Sequence, residues 1–282
     1  MLYLAGLGFG MLSAGFNTAF AQMGAGPSSL VNGLFGVGSL LSPLLVAFLV
    51  TTSYRPPFLL MSVLAALLAL GVRGWWPPQA HHAREHAPVS IAGRDTLVGS
   101  SRFTFLLFAV CFFLYVGMEA SIGNWATVHL TRLHHPNPAL MTSLFWAALT
   151  VGRFGFALIG SRVGFSLVLA VGAIGTLVAS GLLLGGGLAP VALMLAGLCF
   201  APMISTLFAW LTAVLPPRLA PYALTSGMLG AAVLPALVGW LLPRLGTLAL
   251  PLGVLLFAGL LLSLVCVLHW RLQPRPALGA LR

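Results

Sequence analysis

Phe103-Thr104-Phe105-Leu106-Leu107-Phe108-Ala109-Val110-Cys111-Phe112-Phe113-Leu114-Tyr115-Val116-Gly117-Met118-Glu119-Ala120-Ser121-Ile122-Gly123-Asn124-Trp125 carries no charge until Glu119 and continues apolar to Leu130. A bilayer core about 30 Å thick needs roughly 20 apolar residues in helical form. Backbone groups in hydrocarbon must bond within a helix or a closed barrel. The run lacks the in-out alternation of barrel strands, so it reads as a membrane-spanning helix with one carboxylate inside it.

Outward from this run the same pattern repeats between Gly, Pro and Arg punctuation. Spans are expected near 2–22, 29–51, 57–75, 103–130, 139–160, 165–185, 190–214, 221–242 and 248–270. The fold expected is all-α, a polytopic bundle of about nine transmembrane helices. Composition agrees: 60% of the 282 residues are hydrophobic and 6% charged, with mean hydropathy +1.06. A soluble domain is about one quarter charged. The net charge of +10 comes from 13 basic residues, every one an arginine, spread between apolar runs. That spacing marks topology and excludes nucleic acid as the expected partner.

The longest polar stretch, 76–102, opens Trp76-Pro77-Pro78-Gln79-Ala80-His81-His82-Ala83-Arg84-Glu85-His86 and divides three spans from six. The organisation expected is a three-helix part at 1–75, a cytoplasmic linker at 76–102, a six-helix half at 103–271 and a cytoplasmic tail at 272–282. With the linker inside, Arg73, Arg84, Arg94, Arg102, Arg162, Arg218, Arg271, Arg275 and Arg282 fall inside, against Arg55, Arg132 and Arg244 outside. This is the arginine excess of cytoplasmic loops, and it places the C-terminus in the cytoplasm of a cell (cytoplasmic) membrane protein. Met1 then enters the membrane from outside with no signal-peptide pattern, which leads to the expectation that further helices precede it in an intact version.

Several motifs together resemble the major facilitator superfamily, in the branch of fucose permease and related sugar transporters. Gly6-Leu7-Gly8-Phe9-Gly10-Met11-Leu12-Ser13-Ala14-Gly15-Phe16-Asn17-Thr18 is similar to that family's fourth helix. Asn32-Gly33-Leu34-Phe35-Gly36-Val37-Gly38 leading to Pro43 is similar to the fifth. Tyr115-Val116-Gly117-Met118-Glu119 through Trp125 resembles the seventh. Thr150-Val151-Gly152-Arg153, ending in Gly160-Ser161-Arg162-Val163-Gly164, resembles the eighth helix with a shortened inner loop. Ala201-Pro202, and Ser226-Gly227 to Pro235 and Gly239, resemble the tenth and eleventh. The resemblance covers nearly the whole chain. It implies helices four to twelve of a twelve-helix fold, two halves around a central site, with the first three helices absent.

Glu119 is the sole acidic residue in any span, and an intramembrane carboxylate is costly enough to make function the default expectation. It can titrate protons coupled to solute movement or accept hydrogen bonds from a solute or cation; the structural alternative is a carboxyl locking two helices. At 1.5 Å per residue Glu119 lies about 24 Å from the inner helix end, while Arg153 lies about 21 Å from the outer one. Arg153 is therefore expected to snorkel towards the cytoplasm or pin inner helix ends rather than pair with Glu119. The resemblance implies for it, with Arg162, a gating or structural role near the inner loop.

Ser13 and Asn17 share a face on which Gly10 permits close approach, suiting either a polar solute or interhelical hydrogen bonds. The family position matching Ser13 is acidic and tied to proton coupling, and serine here departs from it. Asn32, Tyr115, Asn124 and Ser205 are further polar candidates, Tyr115 sharing the face of Glu119. Trp125 can stack on a sugar ring or anchor at the interface, and Trp75 and Trp76 read as interfacial anchors.

His81, His82 and His86 lack the carboxylates or regular helix that would fix a metal site, and Cys111, Cys199 and Cys266 sit singly in separate spans. No metal and no cofactor are expected. Gly185-Gly186-Gly187 lacks the Lys and Ser/Thr of a phosphate-binding loop, and no HExxH or GxSxG marks an intramembrane enzyme. The function expected is secondary transport of a small polar or amphipathic solute, sugar-like by resemblance, with a proton or sodium ion as a coupling partner. The competing expectation is a membrane protein that does not transport, or one that needs a partner chain to complete its cavity.

Overall fold

The computed structural model describes residues 2–49, 55–75 and 98–273, all of whose regular structure is helical. The linker histidines, Trp76, most of the 76–102 linker and the tail beyond 273 lie outside the described residues. The helices are α1 (Leu2–Gln22), α2 (Ala25–Leu49), α3 (Arg55–Trp75), α4 (Val98–Arg132), α5 (Pro138–Ile159), α6 (Phe165–Leu184), α7 (Ala189–Phe200), α8 (Met203–Val214), α9 (Ala220–Leu245) and α10 (Ala249–Leu272). Five helical stretches among the described residues are long and apolar enough to cross a membrane: Ser101–Arg132, Pro138–Ile159, Phe165–Leu184, Ala189–Val214 and Pro217–Leu272.

One of these stretches, Ala189–Val214, carries a helix break inside it. The run 190–214 becomes α7 and α8, separated by a turn at Ala201 and Pro202, because proline has no N–H to continue the ladder. The backbone N–H of Thr206 then bonds the Pro202 carbonyl at 3.1 Å, so that Pro202 caps the second helix. Between α1 and α2 the connection is only Met23 and Gly24, and Gly24 adopts φ 113°, a conformation that only glycine holds without strain.

The chain divides into two compact units, 1–37 with 101–282, and 38–100. Within the first, α5 packs on α7, α6 lies against α7 and α10, and α1 runs beside α8 and α9. An aromatic seam joins α4 to the broken helix: Phe108 meets Trp210, Phe112 meets Phe208 and Tyr115 meets Phe200, all edge to face with centroids 4.6–5.7 Å apart. That geometry suits the opposed charges of ring edge and ring face. Around the outside the bundle shows apolar side chains, with Leu158 80% and Val151 66% exposed on α5. So much apolar surface is unfavourable in water and ordinary in lipid. The architecture is that of a helical membrane protein.

Candidate functional site

Inside the first unit a cavity of about 330 Å³ opens between α1, α2, α4, α5, α8 and α9. Its polar wall is Ser13, Asn17, Asn32, Tyr115, Glu119 and Arg153, and the remaining lining is apolar, with Phe16, Phe35 and Met228 among it. Among the described residues that line it, Glu119 and Arg153 are the charged side chains, of opposite sign.

One turn of α4 separates Tyr115 from Glu119, and the Tyr115 hydroxyl donates to Glu119 Oε2. The Tyr115 oxygen also lies 3.3 Å from the carbonyl of Phe200, where α7 ends. From α5, Arg153 Nη2 donates to both Glu119 oxygens at 3.3 and 3.2 Å and to the Tyr115 oxygen at 3.4 Å. The pair is sequestered, the Arg153 side chain being 3% and Glu119 15% exposed.

A second run of hydrogen bonds ties this pair to the first two helices. Arg153 Nη1 donates to the Asn32 carbonyl at 3.3 Å, and Asn32 Nδ2 donates to Asn17 Oδ1 at 2.9 Å. Asn17 Nδ2 in turn donates to the Ser13 carbonyl, one turn earlier, at 2.9 Å. Ser29 Oγ donates to the Arg153 backbone carbonyl at 2.7 Å, holding α2 against α5. Charge and amide groups thus form one connected network across four helices, an arrangement in which each bond polarises the next.

Tyr115, Glu119, Ser13, Asn17 and Asn32, all singled out in the sequence, come together here. Arg153 joins them, against the expectation that it would snorkel apart from Glu119. The reason is length: α4 has 35 residues, on the order of 50 Å at 1.5 Å per residue, well beyond the bilayer core. Counting from an assumed start at Phe103 therefore does not fix the depth of Glu119. A carboxylate within reach also offsets the desolvation of a guanidinium better than a long path to water.

The other candidates stand elsewhere. Asn124 is exposed on α4 away from the cavity. Trp125 does not line the cavity; its Nε1 donates to the Pro235 carbonyl at 2.8 Å and its ring covers Gly239. This ties α4 to α9 at one of the two prolines inside that helix, Pro235 and Pro243. Ser205 is fully buried in the first turn of α8, and Arg162 is exposed on the turn after α5. Ser29, Phe16 and Phe35 belong to the site or its support but drew no attention in the sequence. For Ser29 the available signal is its place three residues before Asn32, on the same side of α2.

The amide bridge from α1 to α2 gives a first test. Asn17→Ala is expected to destabilise the protein by about 0.6–1 kcal/mol, the usual size of an interhelical hydrogen bond in a membrane. Denaturant unfolding in mixed micelles measures it, and a loss above about 2 kcal/mol would mean the bridge supports the charged pair as well.

Comparison with known proteins adds little to this geometry. No protein-family model matches the chain. It is 24% identical over 185 residues to the Bypass of stop codon protein 6 of Saccharomyces cerevisiae, across 56% of this chain and 37% of the yeast protein. The chain therefore spans well under two thirds of that relative's length, and the relative's name specifies neither a reaction nor a solute.

Proposed function

We propose that the chain acts in secondary transport, as a major facilitator type protein moving a small polar or amphipathic solute across the cell membrane. In this reading its helices form about nine spans, corresponding to helices four to twelve of that fold, with the C-terminus in the cytoplasm. The observation that carries the proposal is the cavity built around a buried ion pair, walled by helices from both sides of the linker. Buried intramembrane charge is expensive and is characteristically found on solute and ion pathways. An amphipathic lining suits a solute with a polar end and an apolar body. Sugars follow from resemblance alone, and fold analogy does not choose among solutes.

The test is uptake by proteoliposomes of the purified chain, with a pH gradient and then a sodium gradient, across a panel of sugars, amino acids and organic acids. Gradient-driven accumulation of at least one class is expected, falling at least tenfold in Glu119→Gln. No accumulation by the folded chain with any solute would favour the reading of a non-transporting protein, or one whose cavity needs a partner chain.

A further inference from the structure

A second cavity, of about 200 Å³, lies where α6 begins and α10 ends. Phe165 and Ser166 of α6, Trp210 of α8, and His269, Leu272 and Gln273 line it, and it shares no residue with the cavity around Glu119. Its depth in the membrane follows from helix length. The 20 residues of α6 rise about 30 Å at 1.5 Å per residue, which matches the bilayer core, so its first turn stands at the level of the lipid headgroups. On α10 the exposed Trp270 and the neighbouring Arg271 mark the same boundary, as interfacial anchors do.

The polar groups around this cavity are donors in want of an acceptor. The first N–H groups of α6 have no carbonyl to bond within their own helix, and Gly164 before them makes no side-chain cap. The Ser166 hydroxyl lines the cavity beside them. Trp210 is only 6% exposed, yet its indole N–H donates to no acceptor among the described residues. Its ring is fixed by Phe108 edge to face at 5.5 Å and by Phe165 stacked at 6.5 Å. Gln273 Nε2 donates to His269 Nε2 at 2.9 Å and keeps a second N–H. The carbonyl end of α10 would oppose an anion here, but His269 and Arg271 occupy that last turn. No carboxylate lines the cavity.

We propose that this cavity binds the phosphate of an anionic phospholipid. Its phosphate oxygens accept from the α6 N–H groups, Ser166 and Trp210, and its glycerol carbons lie against Phe165 and Leu272. A headgroup that carries an ammonium finds no carboxylate to meet it, which favours phosphatidylglycerol over phosphatidylcholine. Bound there, the lipid joins α6, α8 and α10 at one end of the bundle. The inference is independent of transport, because it uses neither Glu119 nor Arg153.

Native mass spectrometry of the full detergent-solubilised chain tests it, with short-chain phosphatidylglycerol, phosphatidylcholine of the same acyl length and inorganic phosphate as probes. Phosphatidylglycerol is expected to bind about fivefold tighter than phosphatidylcholine, the size of one favourable charge contact at a membrane surface. Inorganic phosphate is expected to bind at least about tenfold more weakly than phosphatidylglycerol, since it buries no carbon. Trp210→Phe keeps an aromatic ring and removes the N–H, and should weaken phosphatidylglycerol about tenfold, as loss of a hydrogen bond to a charged acceptor does. Trp270→Phe, outside the cavity, should leave that affinity unchanged. Should Trp210→Phe fail to fold, Ser166→Ala decides, with a loss of about threefold or more expected for a neutral donor. Equal binding of the two lipids, unchanged phosphatidylglycerol affinity in the folded cavity variant, or an equal loss in Trp270→Phe would each overturn the proposal. Inorganic phosphate binding as tightly as phosphatidylglycerol would overturn the lipid and assign the cavity to the free anion.

Discussion

Glu119→Gln is expected to cost about 3–5 kcal/mol of stability, the range for removing one partner of a buried ion pair, and Arg153→Gln distinctly less. The two sides of the pair are unequal in both burial and chemistry. Arg153 is 3% exposed and its guanidinium stays charged without its carboxylate, whereas Glu119 is 15% exposed and can become neutral. Taking away the carboxylate leaves a buried cation whose remaining partners are the Asn32 carbonyl and the Tyr115 oxygen. Losing the arginine leaves an acid that still accepts from Tyr115.

The decisive comparison is the double variant Glu119→Gln with Arg153→Met, which removes both charges and keeps a similar volume. It should recover most of the loss, because replacing a buried pair with neutral groups of similar size is often neutral or stabilising. Thermal and denaturant unfolding of the unsubstituted chain, Glu119→Gln, Arg153→Met and the double variant in one detergent closes the cycle. A double variant as unstable as Glu119→Gln alone would show that the cost comes from lost packing. Equal losses in the two single variants would show that the difference in burial between Arg153 and Glu119 has no energetic weight.

The sequence held most of the helices and part of the site, for separable reasons. Apolar runs are local, so Leu2–Gln22 and Phe165–Leu184 can be bounded almost to the residue. The spacing of Tyr115 and Glu119 is local too, and their hydrogen bond is what a separation of four on a helix permits. The pairing of Glu119 with Arg153 is lateral. It depends on how far α4 extends past the membrane and how α5 lies beside it, neither of which residue counting supplies. The bond between Asn17 and Asn32 is hidden in the same way: each is visible as a polar residue in an apolar run, but their adjacency arises from the two-residue turn at Met23 and Gly24. At Ala201 and Pro202 the opposite holds. The residues that break the helix are plain in the sequence, while the apolar run they interrupt, Ala189–Val214, stays one stretch long enough to cross a membrane.

Gly230→Ala is the second change expected to have a large effect, because α4 and α9 approach each other there along their backbones. A Cβ at Gly230 would overlap the Phe113 carbonyl, with Phe113 Cα 2.9 Å away, and backbone atoms cannot rotate aside as a side chain can. One turn earlier Ser226 Oγ donates to the Ala109 carbonyl at 2.8 Å, which fixes the same register. In lipid, helices gain little from burying apolar surface against each other, so close packing and such hydrogen bonds supply most of the association. The substitution is expected to cost about 3 kcal/mol, the upper end for overpacking. Gly259→Ala, where nothing lies within 4 Å, is expected to be neutral or stabilising by up to about 1 kcal/mol from helix propensity. Since α4 carries Tyr115 and Glu119 and α9 carries Leu224 and Met228, separating these helices also widens the cavity. Unfolding midpoints of the two variants in the same detergent make the measurement. If Gly230→Ala were as stable as Gly259→Ala, α4 and α9 would have room to move apart at little cost, and the cavity wall between them would be adjustable rather than fixed.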